Sequence, residues 1–209
     1  MESFADHLFT ETVRALQEAD GTAEKYAAMY QKRTQDALDE DTRAFIGACT
    51  SFYMATVSAN GWPYIQHRGG PAGFLKVRGP DSIGFADYRG NRQYISQGNL
   101  SDNDRVALFL MDYPRKARLK LIGHAAMVPA DADPDLAQAL ATDGQGRVER
   151  LVTIQITALD WNCPQFIEPR YTQAEVEAML ALRMADINAH IEMLESRLTA
   201  LKPDWKEDP

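Results

Sequence analysis

The sequence predicts a mainly β fold, a barrel or sandwich with helices at both ends. Three observations lead there. Short runs rich in β-branched and aromatic residues follow one another between residues 51 and 159, separated by turn residues. Asn60-Gly61, a strong hairpin signal, lies between two of them. Helical patterns precede and follow this region, so the strands do not read as a βαβ series.

Taken in order, residues 3–16 carry Phe4, Leu8, Phe9, Val13 and Leu16 near helical spacing. Gly21 interrupts, and a second helical run is expected over 22–38. Residues 38–42 are an acidic connection, and 42–46 a short helix leading into the core. Strands are predicted at 52–57, 62–67, 74–77, 82–87, 105–111, 117–128 and 148–159. Residues 91–100 read as helical and 129–141 as a small Asp/Ala-rich helix or loop; both look like crossovers.

The C-terminal segment has its own pattern. Thr172-Gln-Ala-Glu175 is a capping box. After it Leu180, Met184, Ile187, Ile191, Leu194, Leu198 and Leu201 alternate spacings of four and three, a heptad seam that ends before Pro203. A helix packed on its own barrel and a dimer-forming coiled coil both satisfy that seam. The resulting division is an N-terminal helical extension at 1–40, a barrel domain at 41–170 and a C-terminal helix at 171–209.

With Lys+Arg 22 against Asp+Glu 30, the formal charge is -8. Such a field repels nucleic-acid backbones and anionic membranes, so neither is expected as a partner. The two cysteines, Cys49 and Cys163, lack the spacing of a disulfide framework or a zinc site, which fits a reducing compartment. Residues 1–19 contain Glu2, Asp6, Glu11 and Glu18 with no continuous apolar core, so no signal peptide is expected. No stretch approaches the roughly 20 apolar residues of a membrane span. The expected location is cytoplasmic.

Against this acidic background, cations gather in three places. In the first, Arg68 ends a strand, Gly69, Gly70 and Gly73 with Pro71 and Ala72 open the backbone, and Phe74 and Lys76 follow. Glycines let amides approach an anion and flanking cations neutralise it, although a glycine-rich turn alone more often marks only a turn. In the second, Asp87-Tyr-Arg-Gly-Asn-Arg-Gln93 runs from a strand through a turn into a helix start, which with Arg89 and Arg92 suits a phosphate. In the third, Arg118 and Lys120 are two apart on the longest strand and share one face.

These pieces, in this order, resemble the pyridoxamine 5'-phosphate oxidase-related, FMN-binding split-barrel family. The residues that carry the resemblance are the hairpin at 52–67, Arg68-Gly-Gly-Pro-Ala-Gly-Phe-Leu-Lys76, Tyr88-Arg-Gly-Asn-Arg92, the strand from Arg118 to Ala125, Trp161-Asn-Cys-Pro-Gln165, and Pro169-Arg170. It covers roughly 43–170. The resemblance implies a split β-barrel with FMN as cofactor. Residues Arg68 to Lys76 (Gly69, Gly70, Pro71, Ala72, Gly73 and Phe74 among them) would line the flavin ring and ribityl chain. Asn91, Arg92 and Gln93 would hold the phosphate, and Arg118 and Lys120 would reach the flavin from a neighbouring strand. It also implies a homodimer with flavin sites at the interface, to which Trp161, Gln165 and Arg170 of the second subunit contribute. Lys76 near the ring would stabilise the reduced flavin.

The pattern departs from the true oxidases in two ways. Their C-terminal basic and aromatic clamp is replaced here by an acidic heptad helix, and Gln93 stands where a lysine follows the phosphate arginine. Vitamin B6 oxidation is therefore not the expected activity. The leading expectation is an oxidoreductase passing hydride from NADH or NADPH through FMN to a small-molecule acceptor. No Rossmann fingerprint is present, so the nicotinamide would bind transiently. The alternatives are a non-catalytic flavin or haem binder, for which His67 or His124 would matter, and a dimeric interaction module. Such histidines are more often hydrogen-bonded strand residues. His7 and His190 read as surface residues, and Cys163 as a structural thiol rather than a redox partner. Phe52, Tyr53, Trp62 and Tyr64 read as barrel filling, with Phe74 the aromatic assigned to the site. Asp102, Asp104, Asp131 and Asp133 lack the rest of a calcium loop, and no metal is expected.

Overall fold

The computed structural model describes residues 3–31, 38–162 and 164–201. Its contacts divide the chain into two compact units, which meet in sequence between Ile167 and Glu168. The first begins with three helices, α1 (Phe4–Leu8), α2 (Glu11–Ala19) and α3 (Ala23–Gln31), and then α4 (Glu40–Ala48). Capping side chains start them where the sequence offers Ser, Thr or Asp: Ser3, Thr10 and Asp39 accept from the first-turn amides of α1, α2 and α4. The predicted run 3–16 is broken at Phe9, so it forms two helices instead of one. Residues 32–37 of the second predicted run lie outside the described residues.

Seven strands follow: β1 (Ser51–Val57), β2 (Pro63–Gly69), β3 (Lys76–Val77), β4 (Ser82–Tyr88), β5 (Arg105–Asp112), β6 (Ala117–Pro129) and β7 (Val148–Asn162). They form one sheet in the order β2-β1-β5-β6-β7-β4-β3, with every pairing antiparallel. This is a split barrel with flanking helices. The hairpin of β1 and β2 turns over Ser58 to Trp62, where Gly61 takes φ +83° and donates to the Ser58 carbonyl at 2.8 Å. The strand predicted at 74–77 is confined to Lys76 and Val77, because Phe74 and Leu75 are drawn into the core.

Alternation along the strands builds that core. Phe52, Met54, Leu108, Leu110, Leu119, Leu121, Ile83, Phe85, Val152 and Ile154 point inward from five strands into one cluster, joined by Ile46 of α4 and by Leu75. Phe52 stacks on Phe74 and meets the edge of Phe85, with ring centroids 5.9 and 5.5 Å apart. A bulge between Ile122 and Gly123 bends β6 against β7. A side chain at Gly123 would collide with the Gln155 carbonyl, so only glycine permits the approach.

Two connections lie over the sheet: α5 (Ile95–Asp102), and a single 3-10 turn at Ala130–Ala132 followed by α6 (Pro134–Leu140). Helix α5 is fastened by side chains. Ser96 Oγ donates to Gln66 Oε1 at 2.7 Å, and Asn99 Nδ2 donates to Thr56 Oγ1 at 2.9 Å. The second unit is the helix α7 (Gln173–Leu201) and the residues leading to it. Its capping box forms as the sequence predicts, with Thr172 Oγ1 accepting from the Glu175 amide and Glu175 Oε2 accepting from the Thr172 amide. Among the described residues no helix is long and apolar enough to cross a membrane.

Candidate functional site

A cavity of about 340 Å³ opens where β2, β4, β7 and the start of α5 converge. Its wall carries Tyr64, Gln66 and Arg68 from β2, Asp87 and Tyr88 from β4, Arg150 from β7, residues 90–97 of the turn into α5, and Met127. Alternation explains the strand contributions. Arg68 pairs in register with core-facing Phe52, and Asp87 sits two residues beyond Phe85 and directly opposite Arg150. The inward phase of three strands thus ends in charge instead of hydrocarbon.

Asp87 joins two of these charges. Arg68 Nη1 donates to its Oδ1 at 2.6 Å and Arg150 Nε to its Oδ2 at 2.7 Å, with all three side chains 12–15% exposed. Since β2 and β4 lie near opposite ends of the strand order, the Arg68–Asp87 pair spans the opening of the split barrel. The Arg68 guanidinium also lies over the Phe85 ring at 5.5 Å, and that of Arg150 over the Tyr94 ring at 5.4 Å. A second pair stands at the mouth, where Arg92 Nη2 donates to Glu149 Oε1 at 2.8 Å. This hydrogen bond pulls the Glu149 carboxyl below its ordinary range and raises Arg92.

The turn into α5 is strained and open. Arg92 and Tyr94 hold φ values of 59° and 57°, in the left-handed region, and Tyr94 supplies no side-chain cap to the helix. Two buried polar atoms on the same wall, Arg68 Nε and Gln97 Oε1, have no hydrogen-bond partner. One is a donor and the other an acceptor, and both belong to side chains whose other atoms line the cavity. A wider depression of about 820 Å³ continues from it across Arg92, Tyr94, Gln97 and Arg150 to Arg147.

Of the residues expected to bind a ligand, the cavity brings together Arg68, Asn91, Arg92 and Gln93. The residues from Gly69 to Phe74 are not among those that line it. The Gly70 amide donates to the Thr50 carbonyl and the Gly73 amide to that of Gly47, so the loop is fastened to the chain around the end of α4. Phe74 is in the core. Lys76 Nζ donates to the Ala141 carbonyl at 2.9 Å. Arg118 and Lys120 alternate with core-facing Leu119 and Leu121, and leave the opposite face of the sheet from Arg68. There Lys120 stands over the Phe4 ring at 5.9 Å, beside a largely apolar groove that includes Tyr53, Ile65 and Phe109. Trp161 packs its ring on Phe45 at 4.7 Å, and Gln165 is exposed. Arg170 belongs to the second unit, and Cys163 lies outside the described residues.

His67 is exposed and edge-on to Tyr53, and His124 Nδ1 is 2.9 Å from Asp104 Oδ1; neither lines the cavity. Among the described residues no group of His, Cys, Asp and Glu could hold a metal ion. Sequence reasoning missed Gln66, Asp87, Gln97 and Arg150. For Asp87 and Arg150 the signal is present: each continues the inward phase of an otherwise apolar strand.

No curated protein matches the chain in sequence. Several solved structures resemble it in fold. A candidate pyridoxamine 5'-phosphate oxidase from Lactobacillus delbrueckii is 19% identical, with 61% of this chain and 97% of that one covered at a TM-score of 0.47. An FMN-binding protein from Syntrophomonas wolfei is 13% identical, covering 70% and 97% at 0.45. HutZ, a haem storage protein from Vibrio cholerae, is 16% identical, covering 59% and 94% at 0.39. A sequence profile described as pyridoxamine 5'-phosphate oxidase matches residues 38–161, more than half of the chain and nearly all of its sheet, so the chain belongs to the pyridoxamine 5'-phosphate oxidase family.

Proposed function

We propose that the cavity binds FMN and that the protein is an FMN-dependent oxidoreductase. The observation that carries this is the pairing of three guanidinium groups, Arg68, Arg92 and Arg150, with two unpartnered buried polar atoms on one wall. A flavin mononucleotide has a dianionic phosphate, a polar chain and a flat ring with both donors and acceptors along its edge. Arg92, Gln93 and the uncapped first turn of α5 suit the phosphate. The Arg68 and Gln97 side chains, each with a buried polar atom left unpartnered, would turn toward the polar edge of the flavin. Tyr64 and Met127 offer flat or apolar surface beside them. When bound, FMN would supply two-electron redox chemistry, and NADH or NADPH is the proposed donor to an organic acceptor. Family membership supports the flavin reading.

The proposed working form is a cytoplasmic homodimer, with flavin sites completed at the interface. In support of the dimer itself, the sheet face that carries Arg118 and Lys120, opposite the cavity, exposes Tyr53 and Ile65, an apolar surface that a second copy would cover. Trp161, Gln165 and Arg170 of the second subunit remain the proposed contributors.

The test is an absorbance spectrum of the purified protein, then anaerobic addition of NADH and NADPH. Flavin bands that bleach with a nicotinamide are expected. Arg68→Ala is expected to weaken FMN binding at least tenfold by fluorescence titration. A colourless protein that rejects added FMN would overturn the proposal, and a Soret band would move it to haem.

A further inference from the structure

The cations of the cavity are already engaged by carboxylates. From the mouth inward the charges alternate: Arg92 to Glu149 at 2.8 Å, Glu149 Oε2 to Arg150 Nη1 at 3.5 Å, Arg150 to Asp87 at 2.7 Å, and Asp87 to Arg68 at 2.6 Å. Three cations and two anions leave one net positive charge for a ligand that carries two negative ones.

The two anions are not equivalent. Asp87 is wedged between two guanidinium groups in the strand ladder, where leaving would strand both. Glu149 is held chiefly by Arg92, whose side chain is 47% exposed on the strained turn at the mouth. Glu149 is therefore the group able to give up its partner. Resting on the FMN reading above, we propose that Glu149 is an internal anion that occupies Arg92 in the ligand-free protein and must yield it to a flavin phosphate. Glu149 thereby sets how strongly the site prefers FMN to riboflavin.

The direction of the effect follows from charge. A phosphate reaches the Arg92 fork either by displacing the Glu149 carboxylate or by standing beside it, and both raise the cost of binding phosphate. Neither touches the ring. Because the carboxyl is held below its ordinary range, Glu149 stays ionised through neutral pH and the competition persists there.

The experiment is fluorescence titration of the flavin-free full-length protein with FMN and with riboflavin, for the unaltered chain and for Glu149→Gln. FMN should bind about three- to tenfold more tightly to the variant, as expected for relief of an exposed ion pair and its repulsion, while riboflavin affinity stays the same. Unchanged or weaker FMN binding overturns the proposal, since Glu149 would then orient Arg92 rather than compete for it. Equal tightening of both flavins overturns it too. The same substitution made in an Arg92→Ala background should yield little or no gain; a full gain there means that Glu149 acts through something other than Arg92. If neither flavin binds the unaltered chain or any variant, the FMN reading itself falls and the proposal with it. Glu149→Ala, checked by circular dichroism, serves where the glutamine variant misfolds.

Discussion

Cys49 shows how one residue's surroundings set its chemistry. It is buried against the main core, and burial first, then the charge of Asp112, push its thiol from the ordinary 9.0 up to about 11. At pH 8 only about one molecule in a thousand would carry the reactive thiolate. In a Cys163→Ser background, the native protein should therefore leave an aromatic disulfide reagent unreacted over the time in which urea-unfolded chain releases one equivalent. Native labelling as fast as unfolded labelling would refute the assignment. The same shift has a stability consequence. The unfolded thiol ionises from about pH 9 and the folded one near 11, so this contribution is complete below 9 and is lost as pH rises between those values. At the cavity, residue-level reading of the sequence found Arg68, Asn91, Arg92 and Gln93 because cations and turn residues cluster there. It passed over Arg150, which has no cationic neighbour on its strand; its inward phase with Val152 and Ile154 was the available signal. Arg118 and Lys120 were assigned to the same site as Arg68 because strand order, which decides the face each residue occupies, is not written in local spacing.

At the scale of elements, the hairpin of β1 and β2 was legible, because turn chemistry and a period of two are local signals, whereas β3 at the far end of the sheet is shorter than its sequence run. Helix α7 was legible as well, and its heptads specify more than a helix. All seven seam residues are exposed, from 41% at Ile187 to 85% at Leu201. With Met184, Ile191 and Leu198 at a and Leu180, Ile187, Leu194 and Leu201 at d, the g positions hold Arg183, His190 and Arg197 and the e positions hold Ala181, Asn188 and Glu195. A parallel pair sets His190 against the partner's Glu195 and Arg183 against the partner's Asn188. An antiparallel pair brings Arg183 to the partner's Arg197, which like charge disfavours. The homodimer proposed above is thus expected to pair its α7 helices in parallel. In a Cys163→Ser background, Leu180→Cys and Leu201→Cys should each oxidise to a covalent dimer, while Ser196→Cys, on the outward f position, should not. Positions 180 and 201 lie roughly 30 Å apart along the helix, so an antiparallel pair would cross-link only when the two variants are mixed. Cross-linking no stronger than that of Ser196→Cys, in the single variants and in their mixture alike, would mean that the helices are not paired.

For the molecule as a whole, site and fold share one set of interactions. The chain is acidic overall, yet three arginines converge where the curled sheet remains open, and the Arg68–Asp87–Arg150 triad ties β2 to β4 and β7 across that opening. The backbone ladder does not join β2 to β4, so this closure rests on side chains and on the packing of Phe52 against Phe74 and Phe85. Removing Asp87 would leave two guanidinium groups, each no more than 15% exposed, facing one another, Arg68 without its counter-ion and Arg150 with only Glu149 at 3.5 Å. Asp87→Ala is therefore expected to destabilise the protein by about 2–4 kcal/mol in urea unfolding, because an unpaired charge in a largely buried setting is costly. Screening reaches such a pair poorly, so the loss should change little between about 0.05 and 0.5 M salt. An apolar replacement separates the two roles. Arg68→Met with Asp87→Leu removes one donor and the shared acceptor together while keeping bulk at the opening; it should recover the part of the stability lost through Arg68, Arg150 keeping only Glu149, while leaving FMN binding lost. If that double variant binds FMN as the unaltered chain does, the triad is only a clasp of the barrel; if Asp87→Ala unfolds at the same urea concentration as the unaltered chain, it is not a clasp at all.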